Sequence, residues 1–257
     1  MINIEKRLIQ QVIVSKPVDK PIVSNGYGLD ISRQSFLMRR GALIESIWYH
    51  LDMIKAVIFD VGGVLHTNEM KFVHQDIIST LGITKSTFEC KYNELIQPFS
   101  KGEISEKQFW DLFLKATNTN KSLPDVSLFV REFEKRYQVN HDVINLVKSL
   151  KRGGFKLAIL SNTIKPHVEV NKKMGIYENF PTRVLSNEVG LTKPDSRIFT
   201  LILDRLKTKP QEAVFIDDKE EFVRAAEDFG LKGILFKNTK RLKKDLQFLG
   251  IKVEGLA

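Results

Sequence analysis

Four apolar residues, Ala56 to Phe59, run straight into the carboxylate of Asp60, with Gly62 and Gly63 directly behind it. So short and wholly apolar a run fits a strand buried on both faces of a parallel sheet, and such strands end at the edge where doubly wound folds bind ligands. An ordinary strand with a glycine turn would produce the same stretch. Further along, Lys156 to Leu160 repeats the pattern and ends in Ser161, Asn162 and Thr163. Short apolar runs recur at 183–185, 213–216 and 233–236, and the one at 213–216 leads into Asp217 and Asp218. Helical or turn material separates them. That alternation predicts an α/β fold, a doubly wound (Rossmann-like) sheet of about five parallel strands. Asp60, Ser161, Asp217 and Asp218 then share one edge of the sheet.

Between the first two strands lies a segment too long for a simple crossover. Residues 67–151 carry apolar positions at helical spacing, among them Phe72, Val73, Ile77 and Leu81, then Phe109, Trp110, Phe113 and Leu114. Ser105 followed by Gln108 is a capping box for a helix starting at 106. The expected organisation is a core formed by 53–66 and 152–257, with a helical insertion at 67–151. Residues 1–52 read differently: Pro17, Pro21, Asn25, Gly26 and Gly28 interrupt them and no periodic segment emerges. They are expected to be weakly ordered or peripheral, either an N-terminal extension or upstream sequence translated ahead of Met53.

The formal charge of +9 raises the question of nucleic acid. Basic residues are spread along the chain, however, and the one cluster, Lys237, Lys240, Arg241, Lys243 and Lys244, alternates with Leu242, Leu246 and Leu249. That is the solvated face of an amphipathic helix, so no nucleic-acid partner is expected. The positive field would help collect a small anionic substrate. No stretch has the length of an apolar membrane span and the N-terminus lacks a secretory apolar core, so the expectation is a cytoplasmic protein without a membrane partner. The single cysteine, Cys90, has no metal-ligand pattern around it and reads as structural.

Four stretches taken in order, FDVGGVL, LSNT, SNEVGLTKPDSRIF and VFIDD, resemble the motifs of the haloacid dehalogenase-like (HAD) hydrolase superfamily over about residues 54–250. The 67–151 insertion matches that superfamily's first type of helical cap domain, and GEISEKQFW at 102–110 is similar to a stretch common in its phosphatase branch. The resemblance implies a phosphomonoester hydrolase acting on a small phosphorylated metabolite, a sugar phosphate being one candidate. Asp60 would be the nucleophile, forming an aspartyl phosphate. Lys193 would hold Asp60 and a phosphoryl oxygen, and Ser161, assisted by Asn162, would donate to the phosphoryl group. Three carboxylates beside a phosphate dianion need a cation, since two unit charges 4 Å apart repel by about 4 kcal/mol at an effective dielectric near 20. Oxygen ligands suit Mg²⁺, which the resemblance also implies, with Asp60, the Gly62 carbonyl and Asp218 as ligands and Asp217 either binding directly or standing one layer behind. The glycines at 62 and 63 would let backbone approach phosphate and metal where side chains would crowd it.

The pattern departs from the superfamily at one catalytic position. Two residues after the nucleophile most of its phosphatases carry a second Asp, the general acid/base, and here Gly62 stands. The Asp-x-Gly variant is similar to that of a bacterial glucose-1-phosphate phosphatase branch, where the leaving group departs readily. His66 or Glu69 could supply the proton instead, or serve only the surface and the linker. Two other readings stay open. One is a metal-free haloacid dehalogenase, for which Asp217 and Asp218 would be unmotivated. The other is a catalytically weakened binding or interaction protein, because Lys219 and Phe222 replace the asparagines that often follow the acidic pair.

Overall fold

The computed structural model describes residues 54–67, 70–119, 121 and 123–252; the segment 1–52 and Glu69 lie outside them. In chain order, β1 (Ala56–Phe59) is followed by α1 (Met70–Leu81), α2 (Lys85–Ser100), α3 (Glu106–Thr117), α4 (Leu128–Lys135) and α5 (His141–Arg152). Then come β2 (Lys156–Ser161), α6 (Lys165–Lys173), β3 (Thr182–Leu185), α7 (Ser196–Leu206), β4 (Ala213–Asp217), α8 (Glu220–Phe229), β5 (Lys232–Leu235) and α9 (Thr239–Phe248). The five strands form one parallel sheet in the order β3-β2-β1-β4-β5. This is the Rossmann-like α/β architecture expected from the apolar runs, with strand ends shifted by a residue.

β1 is central and completely buried because it is covered on both faces. Val57 and Phe59 point to a layer shared with α5 and α9, whereas Ala56 and Ile58 point to one shared with α7 and α8. Register then places the chemistry. Phe59 pairs with Ile216, and the Asp60 amide donates to the Ile216 carbonyl at 2.9 Å, so Asp60 leaves the sheet level with Asp217.

Helices α1 to α4 bury their apolar faces among themselves, with Val73, Ile77, Phe88, Phe109, Phe113 and Phe129 at the centre. The capping box on α3 is formed, with the Gln108 amide donating to Ser105 Oγ and the Ser105 amide to Gln108 Oε1. The boundary expected at 151 falls earlier, since Val143, Leu146, Val147 and Leu150 of α5 pack on the sheet. Cys90 lies exposed on α2, so it fills no core position. On α9, Leu242 and Leu246 are buried while Lys240, Arg241 and Lys244 are exposed. Among the described residues no helix is long and apolar enough to cross a membrane.

The α1–α4 segment is fastened to the sheet layer along α6, where Lys173 donates to Glu134 at 2.8 Å, and at two further places. Its two connecting strands run together beside the tip of β1: the Thr67 amide donates to Gln138 O and the Asn140 amide to Leu65 O, each at 2.9 Å, and His66 bridges to Gly62 and Val139. The other attachment is at the end of α2. Ser186 Oγ, fully buried, donates to the Ser100 carbonyl at 2.6 Å and accepts from the Thr163 amide at 2.8 Å. Next to it Gly102, at φ +70°, lies so near the Asn187 carbonyl that a Cβ would come within 2.3 Å of its oxygen.

Candidate active site

At the C-terminal edge of the sheet, the Lys193 ammonium donates to Asp60 Oδ1 at 2.8 Å and to Asp217 Oδ2 at 2.5 Å. Lys193 itself is 3% exposed. Its backbone is clasped by one side chain: Asn162 Nδ2 donates to the Lys193 carbonyl at 2.9 Å, and the Lys193 amide donates to Asn162 Oδ1 at 2.8 Å. Asn162, following directly on β2, thus fixes where a lysine 31 residues away can reach. The Phe222 and Phe215 rings lie 4.9 and 5.2 Å from the ammonium and complete its enclosure. Phe222 therefore packs against the cation where an asparagine would have offered a hydrogen bond.

Asp217 is wholly buried and occupied on both oxygens, its Oδ1 accepting from the Lys219 amide at 2.9 Å. Asp60, Asp217 and Asp218 each offer an oxygen within 4.8 Å of the others. Burial raises the Asp60 carboxyl to about 6, against the pull of Lys193 and with Asp217 and Asp218 reinforcing the rise. For Lys193, burial alone would lower the ammonium, but Asp60 and Asp217 outweigh it and hold it above its ordinary value. One ammonium does not neutralise three converging carboxylates. The all-oxygen donor set and the residual negative charge fit a hard divalent cation.

The two glycines differ. Gly63 has φ +77°, and a Cβ there would meet Asp218 Oδ2 at 2.3 Å, so this position must stay bare for Asp218 to stand where it does. Gly62 is not in the left-handed region, and a Cβ would meet only His66 Cε1 at 3.9 Å. The expected crowding at 62 is absent, because the chain turns away there before it closes on Asp218. Gly63→Ala should cost roughly 2 kcal/mol, the left-handed penalty of about 1–2 kcal/mol plus displacement of Asp218, and Gly62→Ala under about 1 kcal/mol. Urea unfolding of the two variants beside the parent checks the contrast.

Over the acidic cluster lies a cavity of about 560 Å³, a size typical of small-molecule sites. Asp60, Gly62, Ser161, Asn162, Lys193, Asp217 and Asp218 all line it. His66 does too: it is 5% exposed, so it is not a surface residue, and its Nδ1 lies 2.7 Å from the Thr67 carbonyl. A carbonyl only accepts, so Nδ1 carries the proton. Burial lowers the His66 imidazole, with that hydrogen bond opposing the shift. His74 of α1 and His167 of α6 also line the cavity, and no sequence pattern had marked either.

Comparison with known proteins points the same way. A family model for haloacid dehalogenase-like hydrolases matches residues 54–230. Bifunctional epoxide hydrolase 2 of Rattus norvegicus is 26% identical over 77% of this chain and 37% of its own length. The porcine counterpart gives 38%, so the chain spans less than two fifths of these relatives. Glyceraldehyde 3-phosphate phosphatase of Methanopyrus kandleri is 28% identical over 73% of this chain and 86% of its own. A HAD family enzyme of Bacteroides thetaiotaomicron shares the fold at TM-score 0.65 and 22% identity, over 72% of this chain and 94% of its own. That enzyme has also been crystallised with magnesium and inorganic phosphate.

Proposed function

The chain belongs to the haloacid dehalogenase-like hydrolase family, and we propose that it is a Mg²⁺-dependent phosphomonoester hydrolase acting on a small phosphorylated metabolite. The observation that carries this reading is the buried contact of one ammonium with two carboxylates, beside a third carboxylate, on the floor of a cavity. A metal-free dehalogenase would have no use for Asp217 and Asp218 at that place. The archaeal phosphatase, matched over most of its length, supports the same reaction class.

In the proposed reaction an Asp60 oxygen attacks phosphorus, the bond from phosphorus to the ester oxygen breaks, and the phosphoryl group rests on Asp60 as an aspartyl phosphate. Water then attacks that phosphorus, releasing phosphate and restoring Asp60. Lys193, held by the Asn162 clasp, keeps Asp60 oriented and faces the charge that gathers on the phosphoryl oxygens. Ser161 donates its hydroxyl to one of those oxygens, and Asn162 acts through Lys193. Mg²⁺ would be held by Asp60, Asp218 and the Gly62 carbonyl, with Asp217 behind them, and would supply charge neutralisation and orientation of the phosphoryl group. Of the 67–151 segment expected as a cap, α1 to α4 would close the cavity from above and select the ester. His66 belongs to the linker of that segment.

With no side chain at 62, protonation of the leaving group lacks a dedicated acid, an assistance typically worth about 10²- to 10⁴-fold. Esters with acidic leaving groups, anomeric sugar phosphates among them, are therefore the preferred substrates. The open space at 62 makes the test direct. Phosphate release with and without Mg²⁺ is measured on p-nitrophenyl phosphate, glucose 1-phosphate and glycerol 3-phosphate, for the parent and Gly62→Asp. The parent should need Mg²⁺ and favour the first two, while Gly62→Asp should raise the third most. Release without metal sinks the proposal, and an equal gain on all three sinks the leaving-group account.

A further inference from the structure

The cavity changes character from its floor upward. Every charged side chain that lines it, from Asp60 and Lys193 to Lys219 and Glu221, belongs to the sheet edge, the turn after β4 or the first turn of α8. The walls toward α1, α2, α4 and α6 carry none. Met70, Tyr92 and Ile96 line them, each half-buried, so they present carbon surface to the cavity. Phe133 lines them as well, its ring 4.1 Å from that of His167. Tyr92 is held flat, stacked on Phe88 at 5.2 Å with the two planes 20° apart. The polar groups of these walls are mostly spent elsewhere. Ser100 Oγ donates to the Gln97 carbonyl at 3.0 Å, and Asn171 Oδ1 accepts from the Tyr137 hydroxyl at 2.6 Å. The Nε2 atoms of His74 and His167 are shut away from the cavity. Burial pushes the two imidazoles down, to about 4 and about 3, so neither is a cation at pH 7. Gln97, which is exposed, adds one amide.

We infer that these walls form an aryl subsite and that the substrates are phosphate monoesters of phenols, the ring of the leaving group lying against Met70, Tyr92 and Ile96. This deepens the phosphomonoesterase reading and rests on it. Two independent observations meet in this class. The first is the wall itself, which gives a flat ring stacking and apolar contact. It gives a polyhydroxy leaving group few partners for its hydroxyls and a second anionic group no cation, so either would be buried unpaired. The second is the bare backbone at Gly62, which leaves departure to the acidity of the leaving group itself. A phenol titrates at about 10, as the tyrosine side chain does, well below an alkyl alcohol. The phosphorus–oxygen bond therefore breaks with its electron pair passing to the phenolic oxygen, which takes its proton from water afterwards.

Three esters test the subsite: phenyl phosphate, glucose 1-phosphate, and acetyl phosphate, whose leaving group departs readily but carries no ring. The parent should favour phenyl phosphate over glucose 1-phosphate by about 10-fold or more in kcat/KM, and bind it with a KM about 10-fold below that for acetyl phosphate. Met70→Gln and Ile96→Asn should each lower the ratio of kcat/KM for phenyl phosphate to that for acetyl phosphate by about 3- to 30-fold, through KM. Met70→Leu and Ile96→Leu should keep the parent ratio. Where Ile96→Asn does not fold, by circular dichroism, Ile96→Thr replaces it. A ratio unchanged in the polar variants, or equal kcat/KM on phenyl phosphate and glucose 1-phosphate, overturns the inference. A second arm needs neither catalysis nor metal. In ¹³C-methyl NMR spectra, free phenol should shift the Met70 ε-methyl and Ile96 δ-methyl resonances by its ring current, and free glucose should not. Absence of those shifts overturns the subsite even if phosphatase activity is present, and their presence upholds it even if phosphatase activity fails.

Discussion

Asp60→Asn should abolish Mg²⁺-dependent phosphate release, by about 10⁴-fold or more, because the amide cannot attack phosphorus. The same variant should be the more stable protein in metal-free buffer at pH 8. A folded value of about 6 for Asp60, against an ordinary 3.8, means that the folded chain holds the proton more tightly than the unfolded one. The stabilisation from protonation is full below 3.8 and is lost as pH rises through about 6, an interval worth up to about 3 kcal/mol. Asparagine removes that dependence. Melting curves should place Asp60→Asn several degrees above the parent at pH 8 without metal, with the difference shrinking toward pH 4 and on adding Mg²⁺ to the parent. A variant less stable than the parent at pH 8 would mean that the Lys193 contact outweighs burial at this carboxylate.

Lys193→Met should have the opposite effect on stability. Methionine keeps much of the apolar stem but leaves Asp60 and Asp217 buried without their cation, and removing one partner from a buried ion pair typically costs about 3–5 kcal/mol. Asp217 bears most of it, since its other oxygen has only the Lys219 amide. With the ammonium gone the Asp60 carboxyl loses the charge that opposes its rise, so the loss should be greater at pH 8 than at pH 5. Divalent cation should restore part of it. Activity should fall by about 10²- to 10³-fold in kcat, the usual consequence of losing one charge stabiliser. Chemical denaturation at the two pH values, with and without Mg²⁺, separates these contributions. Insensitivity to both pH and metal would place the cost in lost packing against Phe215 and Phe222 instead.

The parts of this molecule that could be read from its sequence were those with a local signal. The β1 run is uninterruptedly apolar because both faces are covered, and the polar residues that end β1, β2 and β4 share an edge because parallel strands run the same way. The Ser105–Gln108 box likewise announces a helix start within four residues. What escaped depends on pairs far apart in the chain. The amide of Asn162 is spent on the Lys193 backbone, and Phe222 lies beneath an ammonium 29 positions earlier; no spacing rule reports either. His74 and His167 sit on separate helices, and each alone looks like an ordinary helical histidine. The end of the helical segment was misplaced because α5 has the same 3.6-residue periodicity as α1 to α4, and periodicity says which face is buried without saying against what.

The Ser186 contact with Ser100 bears on how a substrate reaches Asp60. A body hinged along one seam can swing wide, whereas a body hinged at two can only rock about the line joining them. The paired linkers, the end of α2 and the packing of α4 on α6, where Phe133 lies 4.1 Å from His167, tie that body at three places, so tolerance for bulk in the substrate is expected to follow the wall residues.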